Sequence, residues 1–284
     1  MNRLQFAISL LMALFAHCHL WAEASRLYTS DRLTSMVITC IAQDSRGYMW
    51  IGTQNGLNRF DGYRFTPYLY SDTNQRTICH NNVTTLFVDR SGTLWVGSPK
   101  GLSRYDMATE SFERVKLRPG NLPEPRITQL VQLRNGQLLV GTSGFGLYAL
   151  IPPTRKDGRW TAKQSRRYAH GGTDDYYTAI HVDTHGRLWK GDNLGRIFCY
   201  TPQGELLLKT QPNCGVPVNI LNGRAGDVVV VCRNGVMIYS DALHQTFKST
   251  TTNGIGSAYC TRDNSLLVGA AHGMMRFGIP DTHL

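Results

Sequence analysis

The chain has 284 residues, of which 42% are hydrophobic, 18% are charged and 28 are glycine. This hydrophobic content is sufficient for a core and excludes a disordered protein. Many glycines and few charges favour a turn-rich sheet protein over a helical one. A formal net charge of +10 favours anionic partners or surfaces.

The N-terminus predicts a secretory signal peptide over residues 1–24. Arg3 supplies the positive charge, residues 6–16 form a short apolar segment, and Ala22 and Ala24 form an A-x-A cleavage site. The apolar segment is short for a membrane span, although an uncleaved anchor remains the alternative. We therefore expect a periplasmic protein, for which nucleic acid is not a partner.

An internal repeat then runs along the rest of the chain with a period of roughly 40 residues. Residues 38–60 and 83–105 match each other as apolar strand, turn, apolar strand, turn and third strand. The first turn carries a residue suited to a positive φ angle, glycine five times and asparagine once: Gly47, Gly92, Gly136, Gly186, Gly226 and Asn264. Three residues after each of these comes an apolar side chain: Trp50, Trp95, Leu139, Trp189, Val229 and Leu267.

Short strands joined by glycine-containing hairpins at this period are typical of the blades of a β-propeller. The sequence predicts an all-β fold of about six four-stranded blades over residues 25–284. The predicted blades cover residues 35–70, 78–117, 127–170, 176–211, 216–250 and 256–284. The last of these ends after its third strand, so both a closed six-bladed ring and part of a seven-bladed ring remain open.

The recurring tryptophans allow two interpretations. They could be stacking platforms for sugars or cations, or they could fill the space between blades as core residues. Leu139, Val229 and Leu267 take the same position in other blades, and these side chains cannot stack a sugar. We therefore expect core packing.

The motif Asp-x-x-Gly-x-x-Trp-[Ile/Val]-Gly-x-x-x-Gly-Leu-x-Arg-[Phe/Tyr]-Asp occurs at 44–61 and 89–106. It resembles the two-component regulator propeller repeat, and the segment 56–63 is similar to the first blade of hybrid two-component sensors. The likeness extends over about residues 27–277 and is strongest in the first two blades.

The resemblance implies a periplasmic sensor of two stacked propellers and an immunoglobulin-like module, followed by a membrane helix, a histidine kinase, a receiver and often a DNA-binding domain. It also implies oligosaccharide ligands from dietary or host glycans. No kinase motif or second propeller occurs in these residues, so we expect a non-catalytic, apparently truncated sensor segment, and a non-functional truncated fragment is an alternative. Its expected partners are the missing C-terminal propeller and signalling domains, or a second copy in a homodimer.

Ligands of propellers usually contact the loops at one end of the blades. The predicted turns between second and third strands supply polar candidates: Gln54, Asn55, Lys100, Asp192, Asn193, Arg233 and His272. A basic segment that includes the predicted outer strand of the third blade adds Arg166 and Arg167, which could bind an anionic glycan or the partner propeller. The alternatives are ordinary hairpin chemistry for the turn residues and protection of an edge strand for the arginines.

Other chemistry has weaker support in the sequence. A glycan-degrading enzyme could use Asp174 and Asp175, but adjacent residues of an extended chain point in opposite directions. His181 and His185 lack further metal ligands, so we predict neither a metal nor a cofactor. Six cysteines follow the signal peptide with no CxxC pair, and their disulfides cannot be assigned. We expect Cys40, Cys199 and Cys232 to be small buried apolar residues.

Overall fold

The computed structural model describes residues 32–118, 122–155, 158–169, 176–250, 254–261, 265–270 and 273–278. Within them, twenty-three strands form six antiparallel sheets, and a 3-10 turn spans Arg224–Gly226. Five sheets have four strands in sequential order, and the sixth has three within the described residues. The predicted all-β propeller fold is confirmed. The predicted signal peptide, His170, Asp174, Asp175, Asn264 and His272 lie outside the described residues.

The strands of the first three blades have the following bounds. Blade one comprises β1 (Ile38–Gln43), β2 (Met49–Thr53), β3 (Gly56–Phe60) and β4 (Phe65–Tyr68). Blade two comprises β5 (Thr85–Val88), β6 (Leu94–Ser98), β7 (Gly101–Asp106) and β8 (Ser111–Val115). Blade three comprises β9 (Ile127–Gln132), β10 (Leu138–Thr142), β11 (Leu147–Ile151) and β12 (Thr161–Gln164).

The strands of the other three blades follow the same plan. Blade four comprises β13 (Tyr177–Val182), β14 (Leu188–Asp192), β15 (Ile197–Tyr200) and β16 (Leu206–Thr210). Blade five comprises β17 (Pro217–Asn222), β18 (Val228–Cys232), β19 (Gly235–Tyr239) and β20 (Gln245–Thr250). Blade six comprises β21 (Ile255–Cys260), β22 (Ser265–Ala270) and β23 (Gly273–Gly278).

The second strands form the core of the molecule. Every residue of β6, β10, β14 and β18 is buried, whereas the fourth strands β12 and β20 are mostly exposed. A strand that is covered on both faces has a continuous apolar sequence, as Val228–Cys232 does. The first strands of successive blades pack side by side, from β1 against β5 to β17 against β21.

The glycines of the first turns have the conformation that the sequence predicts. Gly47, Gly92, Gly136, Gly186 and Gly226 all have φ between +80° and +91°. Residues other than glycine and asparagine rarely adopt a positive φ, so these positions determine where each hairpin turns.

Candidate functional site

The three tryptophans of the repeat are core residues, as the sequence predicts. Trp50, Trp95 and Trp189 are fully buried, which excludes them as sugar-stacking platforms. Each indole N–H donates to a carboxylate in the preceding turn: Trp50 to Asp44 at 2.8 Å, Trp95 to Asp89 at 2.8 Å and Trp189 to Asp183 at 2.9 Å. Because a buried N–H without an acceptor is costly, each tryptophan requires its aspartate.

The aspartate and the tryptophan occur together within this chain. Where the apolar position holds Leu139, Val229 or Leu267, the position six residues earlier holds Leu133, Gly223 or Thr261 instead of aspartate. The other carboxylate oxygen of Asp44 accepts from the backbone N–H groups of Arg46 and Tyr48, which closes the turn. The repeat motif therefore encodes the hairpin and its packing, and ligand contacts have to come from other residues.

The turns between second and third strands lie together at one end of the blades, because the antiparallel strand order is the same in every sheet. Gln54, Asn55, Lys100, Asn193 and Arg233 are exposed there. The first residue of four of these turns donates its backbone N–H to the residue before β1, β9, β13 or β17 of the same blade: Gln54 to Val37, Ser143 to Arg126, Asn193 to Tyr176 and Arg233 to Val216. The backbone of each turn is fixed, whereas its side chains face solvent.

Asp192 differs from its neighbours in this ring of turns. Its side chain is buried, and Oδ2 accepts from Nε of Arg196 at 2.6 Å. Oδ1 accepts from the backbone N–H groups of Leu194 and Arg196. With both oxygens engaged inside the turn, Asp192 serves the hairpin, and Asn193 beside it presents the exposed polar side chain.

The structure does not bring Arg167 to these turns. Its Nε donates to the carbonyl of Gln203 at 3.0 Å, in the turn between β15 and β16. That turn lies at the opposite end of blade four from Asp192, since β15 separates them. Arg166 is exposed in the same connection. The basic segment is thus divided from the ring of candidate turns.

Sequence reasoning missed a basic cleft at the outer rim of blades two and three. It has a volume of about 520 Å³, and its lining includes Arg76, Arg104, Arg114, Arg159 and Glu113. Arg114 is held in place, since it donates to the carbonyls of Ser71, Asn74 and Thr77. The Nε atom of Arg104 is buried and has no hydrogen-bond partner within the described part of the chain. Only the fold could reveal this cleft, because its arginines come from separate strands and loops.

The histidines that could suggest a metal site have other partners. His181 hydrogen-bonds to Oδ1 of Asn222 at 2.9 Å, and burial lowers its pKa. Nδ1 of His185 lies 3.1 Å from Oδ1 of Asp241. Across the described ranges, no group of three or more His, Cys, Asp or Glu side chains is placed to hold a metal ion. Nor do those ranges contain a helix that is long and apolar enough to span a membrane.

Successive blades meet at one recurring contact, made by a junction glycine near the end of a second strand. A Cβ added at Gly52 would lie 2.7 Å from Val83, one at Gly97 would lie 2.8 Å from Ile127, and one at Gly191 would lie 2.5 Å from Pro217. We call these partners, which start the next blade, junction residues. All three are buried, so glycine is needed for the close approach of the two backbones.

Within the part of the chain that the structure describes, the outer sides of blades one and six lack this contact. Ile38 pairs with Thr53 as Ile127 pairs with Thr142, yet Ile38 is 47% exposed and Ile127 is 0% exposed. Gly269 is the junction glycine of blade six, and among the described residues a Cβ there would meet only Ser257 of the same blade. Met274 pairs with Gly269 and is 74% exposed, whereas Leu102, which pairs with Gly97, is 0% exposed. Both outer sides therefore present apolar residues that are covered at the other junctions.

Comparisons with known proteins agree with the fold and the repeat. The family model described as "Two component regulator propeller" matches residues 32–55 and 77–100, within blades one and two. This confirms the resemblance that the sequence motif indicates. No curated protein matches the sequence.

Solved structures share the fold at low sequence identity. A domain described as the extracellular part of a hybrid two component system, BT3049 from B. thetaiotaomicron, has a TM-score of 0.73 at 21% identity, over 90% of this chain and 35% of that one. The extracellular domain of BT4673 from B. thetaiotaomicron has a TM-score of 0.71 at 21% identity, over 85% of this chain and 35% of that one. PorZ, a surface component of the type-IX secretion system of Porphyromonas gingivalis, has a TM-score of 0.65 at 18% identity, over 85% of this chain and 38% of that one. The chain thus spans little more than a third of the length of these proteins.

Proposed function

We propose that this chain is an extracytoplasmic sensing segment of a two-component signalling receptor, without catalysis of its own. The observation that carries the proposal is the pair of repeats at 32–55 and 77–100 that match the two-component regulator propeller model. The likeness to extracellular domains of two-component systems supports an exported, periplasmic location. A reporter enzyme that is active only after export, fused to residues 1–31, tests that location, and an inactive fusion would contradict it.

The proposed ligand is an oligosaccharide, with anionic ones favoured because the chain carries a net charge of +10. The proposed contact surface is the ring of exposed side chains on the turns between second and third strands: Gln54, Asn55, Lys100, Asn193 and Arg233. The two cationic side chains of this ring, Lys100 and Arg233, are exposed, so substitutions there should not disturb the core. Asp192 stabilises the turn that presents Asn193.

The direct test is a glycan array of neutral, sulfated and uronic-acid oligosaccharides, followed by calorimetry with each glycan that binds. We expect Lys100→Glu and Arg233→Glu to weaken binding of an anionic glycan at least tenfold. The matched control is Arg46→Glu, since Arg46 is exposed in the first turn of blade one, at the opposite end of the blade. Absence of binding to every glycan would overturn the sensing proposal, and an equal loss in the control would place the ligand elsewhere.

The basic cleft at the rim is the alternative binding surface, and substitutions there can be compared with those in the ring of turns. Its exposed arginines Arg76 and Arg159 come from the connection between β4 and β5 and from the segment before β12. If Arg76→Glu abolishes binding and Arg233→Glu does not, the ligand binds at the rim and the proposed ring of turns is wrong.

For partners, we propose that a further blade covers the outer sides of blades one and six and closes the propeller. The exposed Ile38 and the uncovered Gly269 match the junction residues and junction glycines of the other blades. A second propeller and signalling domains would follow in the full receptor, and a homodimer over the same apolar sides is the alternative. Sedimentation velocity of this chain distinguishes them, because a concentration-dependent dimer would favour the homodimer.

A further inference from the structure

Two buried thiols meet in blade five. Cys214 lies in the connection from β16 to β17, and Cys232 is the last residue of β18. Both are buried, at 1% and 0% exposure, and the interaction between them lowers the pKa of the Cys214 thiol and raises that of the Cys232 thiol. Sγ of Cys214 also lies 3.9 Å from Sδ of Met237. The pair therefore belongs to one tightly packed core cluster.

The backbone fixes the position of this pair. Cys232 pairs with Gly235 across the hairpin, and directly opposed residues project to the same face of a sheet. A Cβ added at Gly235 would lie 3.4 Å from Cβ of Cys214, so Cys214 covers the face that Cys232 enters. The N–H of Asn234 donates to the carbonyl of Cys214 at 3.0 Å. Cys214 and Cys232 thus approach the same residue, Gly235, from the connection and from the strand, and a disulfide between them would need their Cβ atoms about 3.5–4.5 Å apart.

The same place in other blades holds hydroxyl groups. Thr53, Ser98 and Thr142 occupy the position of Cys232, and each donates to the carbonyl of the glycine that starts or precedes the next strand, at 2.8, 2.9 and 2.7 Å. In blade two, Cys79 takes the position of Cys214, with Sγ 3.8 Å from an added Cβ at Gly101 and 3.2 Å from Oγ of Ser103. Blade two therefore pairs a thiol with hydroxyl groups, and blade five pairs two thiols.

We propose that Cys214 and Cys232 form a disulfide that ties the connection between blades four and five to β18. The oxidant is a disulfide, either of a thiol–disulfide oxidoreductase or of a small thiol such as glutathione. One thiolate attacks this disulfide, releases one reduced thiol and forms a mixed disulfide. The second thiolate then displaces the other reduced thiol and forms the Cys214–Cys232 bond. Two protein thiols lose two protons and two electrons, and the oxidant is reduced to two thiols.

The burial of the two sulfur atoms decides when these steps can take place. Because both thiols are buried in the folded protein, the oxidant has to reach them before blades four and five pack. Oxidation is therefore expected to be fast during refolding and slow in the folded state.

The test uses the full chain refolded from denaturant in a mixture of oxidised and reduced glutathione. Free thiols are then blocked in denaturant with N-ethylmaleimide, and the protein is digested with trypsin. Cleavage after Lys209, Arg224 and Arg233 separates the two cysteines into the peptides 210–224 and 225–233. We expect these peptides to be joined by a disulfide, with Cys79 and Cys199 blocked. Recovery of both peptides blocked, or joined to other cysteines, would overturn the proposal.

A matched pair of variants supplies a second readout. Ser98→Cys places a second thiol opposite Cys79 in blade two, and we expect it to form the equivalent cross-link under the same conditions. Reduction should lower the Tm of the oxidised wild-type chain by about 5–10 °C and leave that of Cys232→Ser unchanged. An unchanged Tm on reduction of the wild type would overturn the stabilising role. This chemistry requires neither glycan nor export, so the proposed sensing function stands or fails separately.

Discussion

The junctions between blades and the outer sides of blades one and six are built from the same residues with opposite exposure. Ile127 fits over Gly97 of the preceding blade and is fully buried, whereas Ile38, at the same register, is half exposed. Leu102 is buried by the next blade, and its counterpart Met274 is exposed. A blade thus gains its stability from its neighbours, as in other repeat proteins whose units contact only adjacent units.

This difference shows which residues of the repeat are needed by a single blade and which by the ring. The Asp–Trp hydrogen bond closes a hairpin within one blade, as between Asp44 and Trp50. A junction glycine such as Gly97 leaves room both for Thr85 of its own blade and for Ile127 of the next blade. Variants at equivalent positions can therefore separate the two contributions.

The largest effect is expected from a charge at a junction residue. Ile127→Asp places a carboxyl group where the side chain is fully buried, and we expect it to lower the free energy of unfolding by about 4 kcal/mol or more. Ile38→Asp, its matched control, should cost less than about 1 kcal/mol, because Ile38 already contacts water. Urea denaturation of both variants measures the difference. Equal losses would show that Ile38 is covered in solution.

A smaller effect is expected at the junction glycines. Gly97→Ala would place a Cβ 2.6 Å from Thr85 and 2.8 Å from Ile127, and overpacking of this kind costs about 1–3 kcal/mol. In Gly269→Ala the one close contact of the Cβ within the described ranges is with the hydroxyl of Ser257, which can rotate away. We expect little change in its midpoint of urea denaturation. A loss of stability in Gly269→Ala as large as that in Gly97→Ala would mean that another element packs over blade six.

A comparable or smaller effect, with a pH signature, is expected within blade four. Burial alone would raise the pKa of Asp183, but hydrogen bonds from Trp189 and Arg187 outweigh it and lower the pKa. A carboxyl group with a lowered pKa stabilises the fold above its unfolded pKa, and this contribution is lost as the pH falls through the folded pKa. Asp183→Asn should therefore cost about 1–2 kcal/mol at pH 7 and less at pH 3, as measured by urea denaturation.

Asp241→Asn is the control for this pH dependence. Asp241 is half exposed and pairs with Arg187 at the surface, so its loss should change stability by less than about 0.5 kcal/mol at either pH. A cost for Asp183→Asn that is the same at pH 3 and pH 7 would contradict the assigned role of the Asp183 carboxylate.

The smallest effect on stability is expected from Met274→Ser, since this side chain is mostly exposed. Its midpoint of urea denaturation should match that of the wild type. If the outer sides bind a further blade and not a second copy, sedimentation velocity should show monomers for both proteins. A wild-type dimer that Met274→Ser dissociates would instead favour the homodimer.

Part of the candidate site was predictable from the sequence. The glycine and apolar spacing located the turns between second and third strands, and with them the exposed Gln54, Asn55, Lys100, Asn193 and Arg233. The burial of Asp192 was not predictable, because it depends on a local ion pair with Arg196. Nor was the position of Arg167, since the connection after β12 carries it to the turn at Gln203.

The sequence by itself determined the all-β fold, the number of blades seen and the role of the tryptophans. These follow from local rules: glycine at positive φ sets each turn, alternation sets each strand, and Asp44, Asp89 and Asp183 accompany a buried indole. Only the tertiary structure decided the basic cleft, the contact of Cys214 with Cys232 and the exposed outer sides. Each of these depends on which side chains from distant segments meet in the folded chain, and the spacing of residues along a short segment does not determine such contacts.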